Sequence, residues 1–212
     1  DYLVGVEDVH GGRGDDVLVG SSAANVLSGG YGDDSGDDEI DGGGGDDFIG
    51  GGDGNNVLRG GGGNDTLFCE AGNDYLDGGP GDDILTDAGG DDVLHGEDGN
   101  DVLQGGNGIN LLIAGRGSDV IVTGEDESEV IAGPGNDFIY GLGGDDHLNG
   151  GWGNDYIDGG RGADVLNGGP GADTFAFKFG ESTLDHPDTI EDFLDVNWNS
   201  KYMMNGSYAM GD

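Results

Sequence analysis

The chain repeats a nine-residue phrase, and no other feature restricts its fold so strongly. Laid out without gaps from Asp33 to Ala176, the phrase occurs sixteen times, and two more copies fill residues 11–28. A four-residue insertion, Gly29-Gly30-Tyr31-Gly32, separates the two blocks. The eighth place is apolar in all eighteen copies, from Leu18 and Leu27 through Leu94, Leu103 and Leu112 to Leu166 and Phe175. The fourth place is glycine in sixteen, with Ala23 and Asp126 as exceptions. The sixth is aspartate in fourteen, with Asn25, Asn56, Asn110 and Ser128 in the others. A register held over that length marks a repeat protein.

Nine residues are too few for a helix-turn unit but suit a tight turn followed by a short strand. The glycines make the first six residues a loop. Triplets such as Val93-Leu94-His95 and Tyr156-Ile157-Asp158 then read as three-residue strands whose middle side chain points opposite to its neighbours. Every middle residue must face one core, so successive strands cannot be hairpin partners. A coil of two nonapeptides solves this, with strands stacking in parallel on two sheets. The expected fold is all-β, a right-handed parallel β-roll (a β-solenoid) of two short-strand sheets with two nonapeptides per coil. Sixteen nonapeptides give a rod about 40 Å long at roughly 4.8 Å per coil. Three segments follow: a flank in 1–10, the roll in 11–176 with its insertion at 29–32, and a C-terminal segment in 177–212.

One layer of Leu, Ile, Val and Phe is too small a core to hold such a stack alone. The composition sharpens the problem. The 212 residues include 45 acids against six Lys plus Arg, a net charge of −39, and only 33% are hydrophobic. That pairing ordinarily signals disorder unless something neutralises the chain. Nucleic acid would be repelled, anionic membrane surfaces are disfavoured, and no run of 18 apolar residues spans a bilayer. The natural counter-charge is a cation.

In the stacked coil, sixth-place aspartates two nonapeptides apart become neighbours. At about 5 Å they repel by roughly 3 kcal/mol per pair at an effective dielectric near 20. Calcium fits between them best: it takes six to eight oxygens, and glycine loops expose backbone carbonyls to complete the shell. Magnesium demands tighter geometry, and zinc calls for His or Cys. One ridge reads Asp47, Asp65, Asp83, Asp101, Asp119, Asp137, Asp155 and Asp173 without a break, with room for seven ions. Its fourth-place glycines, Gly45, Gly63, Gly81, Gly99, Gly117, Gly135, Gly153 and Gly171, are the matching carbonyl donors. The other ridge reads Asp38, Asn56, Asp74, Asp92, Asn110, Ser128, Asp146 and Asp164, preceded by Asp16 in the first block. Its middle is expected to bind weakly or stay empty.

The phrase Gly159-Gly160-Arg161-Gly162-Ala163-Asp164-Val165-Leu166-Asn167 resembles the calcium-binding nonapeptide of the RTX (hemolysin-type) proteins, G-G-x-G-x-D-x-U-x. The resemblance covers residues 11–176. Val6-Glu7-Asp8-Val9-His10 is similar to the strand that caps such rolls. Gly171 to Phe177, Gly180-Glu181-Ser182 and Asp188 to Phe193 are similar to their C-terminal exit. The resemblance implies a parallel β-roll binding several Ca²⁺ ions. It also implies a bacterial protein exported unfolded by type I secretion, folding on extracellular calcium. The chain departs from the family after Phe193, where it runs Leu194-Asp195-Val196-Asn197-Trp198-Asn199 in place of a further capping strand and an apolar export signal.

Enzymatic readings fare poorly. His10, His95, His147 and His186 are isolated, with no H-E-x-x-H among them, and Gly180-Glu181-Ser182-Thr183-Leu184 is not a nucleophile elbow. Asp185, His186 and Asp188 read as a solvated turn before Pro187 rather than a metal site. Tyr75, Phe48, Phe138 and Tyr156, at the seventh place, read as scattered surface aromatics rather than a binding face. Cys69, the single cysteine, rules out an internal disulfide and fills a glycine slot rather than serving as a reactive thiol. Asp1-Tyr2-Leu3-Val4 does not read as a signal peptide and suggests a piece of a longer polypeptide. Two function classes remain, neither of them enzymatic in itself, and the resemblance implies a secreted or cell-surface setting for both. One is a calcium-dependent folding and export module joined to other domains, a toxin, protease, lipase or adhesin. The other is a structural or adhesive repeat of a cell surface or surface layer.

Overall fold

The computed structural model describes residues 2–5, 7–30, 36–178, 187–192 and 201–205, the last as backbone only. Among these there is no helix: the chain winds into a parallel β-solenoid of about nine turns. Strands alternate between two sheets of eleven strands each. One runs from Tyr2–Val4 to Thr189–Ile190 and the other from Asp8–His10 to Lys201–Asn205. All pairing is parallel, and within the unbroken repeat each residue faces the one eighteen positions on, as in Leu85↔Leu103↔Ile121.

That register follows from the eighth place. Because strand side chains alternate, the residue between two outward neighbours is the one that must leave water. All eighteen eighth-place residues are buried, and Leu67, Leu76, Leu85, Leu94 and Leu103 are wholly so. Together they form a single continuous layer between the sheets. Each such burial contributes roughly 1.5–3 kcal/mol.

The strands are unequal, which the nine-residue pattern does not reveal. In the second sheet they are mostly three residues long, such as Val120–Val122. In the first, six run six residues, among them Val57–Gly62, Val93–Asp98 and Leu111–Arg116. There the pairing continues past the core residue into the next loop, as in Glu97↔Gly115 and Gly133↔Gly151. The first place in these six strands is glycine or a buried alanine (Ala114, Ala132), small enough for neighbouring coils to keep pairing.

Candidate metal centre

The sixth-place aspartates are among the least exposed residues of the molecule, from fully buried at Asp119, Asp146, Asp164 and Asp173 to 3% exposed at Asp38, Asp47 and Asp74. Their seats are fixed by one recurring hydrogen bond. The backbone N–H of each sixth-place residue donates to Oδ1 of the sixth-place residue one coil further on. On the continuous ridge the chain of donors runs Asn25→Asp47→Asp65→Asp83→Asp101→Asp119→Asp137→Asp155→Asp173, all between 2.6 and 3.0 Å. The other ridge begins Asp16→Asp38→Asn56→Asp74→Asp92→Asn110 and breaks before Ser128. It resumes Ser128→Asp146→Asp164→Asp188. Asp188 therefore extends the ladder instead of lying in a solvated turn; Ser182, Asp185 and His186 lie outside the described residues.

One oxygen of each carboxylate is thus satisfied, and the other is not. Oδ2 of Asp47, Asp65, Asp83, Asp101, Asp119, Asp137, Asp155 and Asp173 is buried without a hydrogen-bond partner, as it is in Asp74, Asp92, Asp146 and Asp164. A buried ionised carboxylate in that state is strongly unfavourable. Burial accordingly raises the carboxyl pKa values, to about 6 at Asp101, about 7 at Asp83 and Asp137, and about 8 at Asp146. Neighbouring acids of the ladder push the same way.

What each orphan oxygen faces indicates the missing partner. A Cβ placed on Gly96 would lie 2.5 Å from both Oδ2 of Asp101 and the carbonyl oxygen of Ala114, one coil on. The same cradle, carboxylate and first-place carbonyl together, recurs at Gly42, Gly60 and Gly141. Two oxygens carrying negative charge are held around one small gap, left open by a small first-place residue, glycine here and alanine at Ala114 and Ala132. This is an oxygen-only donor set for a hard cation.

The family assignment rests on the same repeat. The family model of the RTX calcium-binding nonapeptide repeat matches residues 10–35, 34–67, 50–85, 70–103, 95–127, 129–157 and 149–184. The chain belongs to the RTX calcium-binding repeat family. No curated protein matches the chain. This RTX chain is a calcium-binding β-roll domain, and the residues fit the ion: the sixth-place carboxylates would supply charge and the loop carbonyls would complete a shell. Among the described residues no helix is long and apolar enough to cross a membrane.

Sequence reasoning named the fourth-place glycines of this RTX roll and overlooked the first-place ones. Gly117, with φ 146°, packs against the carbonyl of Gly99, and Gly135, Gly153 and Gly171 repeat that stacking. At Gly45, Gly63, Gly81 and Gly99, too, a side chain would collide with the backbone of the preceding coil. The fourth place thus holds the loops together, while the first opens the cradle. A second ladder also went unread. Fifth-place Asp and Asn side chains accept from the next coil with the opposite polarity, as in Asn64 N to Asp46 Oδ1 and Asn100 N to Asp82 Oδ1.

The two ridges differ in how the cradle is filled. Asn110 Nδ2 donates to Gly105 O and Asn56 Nδ2 to Gly54 O, at 2.9 and 3.0 Å. Thr123, at a first place, donates its hydroxyl to Gly141 O at 2.5 Å, and Ser128 donates to Asp126 O at 3.3 Å. On this ridge N–H and O–H donors take up loop carbonyls. The outward aromatics are not scattered, because Phe48 packs on Phe68 at 5.1 Å and Tyr156 lies between Phe138 and Tyr140 at 6.0 and 5.8 Å.

Proposed function

We propose that this roll is the calcium-gated folding and export module of a larger secreted bacterial protein. The ridge from Asp47 to Asp173 binds most of the ions. The first-place carbonyls of the cradle contribute beside the carboxylates, joined by the fourth-place carbonyls of Gly45 to Gly171 from the loops they hold together, and the roll itself supplies no catalytic group. The observation that carries the reading is the uninterrupted row of eight buried carboxylates, each with one oxygen lacking a partner. Without cations that row opposes folding. With them, binding free energy becomes folding free energy, and the transition is cooperative. A module tuned to extracellular calcium, with Kd on the order of 10⁻⁴–10⁻³ M, stays unfolded in the cytosol, as passage through a type I channel requires.

Circular dichroism in excess EGTA tests this directly: a disordered spectrum that becomes β-rich on adding millimolar calcium is expected, and a spectrum indifferent to calcium refutes the gating. The second reading, a structural or adhesive repeat, draws on the cluster of Phe138, Tyr140 and Tyr156 on the outer face of the second sheet. The neighbouring gene sequence separates the two: a catalytic or pore-forming domain favours the first, further repeats the second.

A further inference from the structure

One stretch of the weaker ridge breaks the rule that the first place is glycine, and it does so twice in succession. Cys69 and Asp87 occupy first places of coils stacked directly on each other, and both are only 3% exposed. Each side chain projects into the space that a first-place glycine leaves open elsewhere. Sγ of Cys69, a carboxylate oxygen of Asp74 and one of Asp87 lie within 4.8 Å of one another.

Three further facts isolate this group. Asp74 spends Oδ1 on Asn56 N and Asp87 spends Oδ1 on Gly89 N, at 2.6 and 2.9 Å, so each keeps a buried Oδ2 with no hydrogen-bond partner. Asp92, in the same loop as Asp87, likewise keeps its Oδ2. On the two flanking coils the sixth places are Asn56 and Asn110, whose amides donate to their own loop carbonyls. The group is therefore sealed off from the rest of the row on both sides.

We propose that Cys69, Asp74 and Asp87 form a separate three-residue site for a borderline divalent transition metal of the zinc type, with water as the fourth ligand. Calcium is badly served here, because it wants six to eight oxygens and two side chains now fill the space where carbonyls would be reached. A sulfur ligand selects softer ions. Zinc takes four ligands at about 2.3 Å to sulfur and about 2.0–2.2 Å to oxygen, which puts donors roughly 3.4–3.8 Å apart. A contraction of at most about 1.4 Å brings the three atoms to that spacing. The thiol gives up its proton to solvent on binding.

Co²⁺ is the probe, added to the full chain folded in excess calcium. One equivalent should produce sulfur-to-cobalt charge-transfer absorption that added Zn²⁺ abolishes. Cys69→Gly, which restores the residue found at this place in most copies, should remove the absorption while calcium-induced β structure persists. Asp87→Gly should weaken Co²⁺ at least tenfold. X-ray absorption of the zinc-loaded native chain keeps the test independent of the variants, a zinc–sulfur distance of about 2.3 Å being expected. An all-oxygen shell, the absence of the cobalt band, or a band surviving in Cys69→Gly overturns the site.

Discussion

The backbone N–H of Asp101 donates to Oδ1 of Asp119 at 2.8 Å, while Oδ2 of Asp119 is buried with no hydrogen-bond partner. One carboxylate thus ties two coils together and offers its second oxygen to an ion. Asp119→Ala removes both at once. It leaves the buried Asp101 N–H unsatisfied, at a cost of about 1–3 kcal/mol, and it breaks the charged row. Calcium titration followed by circular dichroism should show a folding midpoint moved to higher calcium. Ser128→Ala, which loses only a 3.3 Å hydroxyl contact, should change the midpoint little. Equal shifts would remove the distinction between the ridges.

Asn110→Asp tests the same distinction in reverse. The amide that donates to Gly105 O at 2.9 Å becomes a second negative oxygen facing that carbonyl. Calcium-free stability should fall, and folding should depend more steeply on calcium because one more ion is required. Isothermal titration calorimetry should count the added ion; an unchanged stoichiometry would mean that position 110 lies outside any ion shell.

Gly96→Val closes the cradle of Asp101. Overpacking of this kind costs about 1–3 kcal/mol, and here it also excludes the ion, so the calcium midpoint should rise well beyond that of Gly62→Ala. A Cβ on Gly62 meets nothing within 4 Å, and its substitution should stay within about 0.5 kcal/mol. Ala114 and Ala132 show that a methyl group can be accommodated at the first place, which is why the larger valine is the informative change.

Acid should act in opposite directions with and without calcium. The carboxyls of Asp83, Asp137 and Asp146 have folded-state pKa values raised from 3.8 to about 7, 7 and 8. A raised carboxyl pKa favours the protonated folded form. Each group therefore destabilises the calcium-free fold at high pH, and that penalty is relieved as pH falls from about 8 towards 4. In EGTA, acidification over this window should promote compaction, visible by small-angle scattering. With calcium present, protons compete for the same oxygens, and the apparent affinity should fall over the same window. Calcium-free compactness that is flat between pH 8 and 5 would show that these carboxyls do not govern folding.

The repeat alone fixes a great deal. A period of nine with an invariant apolar eighth place admits few arrangements, and two nonapeptides per coil is the one that buries Leu85, Leu103 and Ile121 in a single file. The sixth-place ladder follows, because equal periods stack equal residues, and so does the need for a cation. Orientation within the loop was not legible, since sequence spacing places a residue along the chain and says nothing of which oxygen it turns inward. Only the folded chain shows that Oδ1 of Asp119 is spent on a backbone N–H while Oδ2 is left over. It alone shows that the cradle opens at Gly96 and not at Gly99, and that the amides of Asn56 and Asn110 turn back onto their own loop carbonyls. Cys69 makes the same point: along the chain it is a departure in a mostly glycine column, the loop turns its sulfur onto Asp74, and stacking alone brings it to Asp87, eighteen residues away.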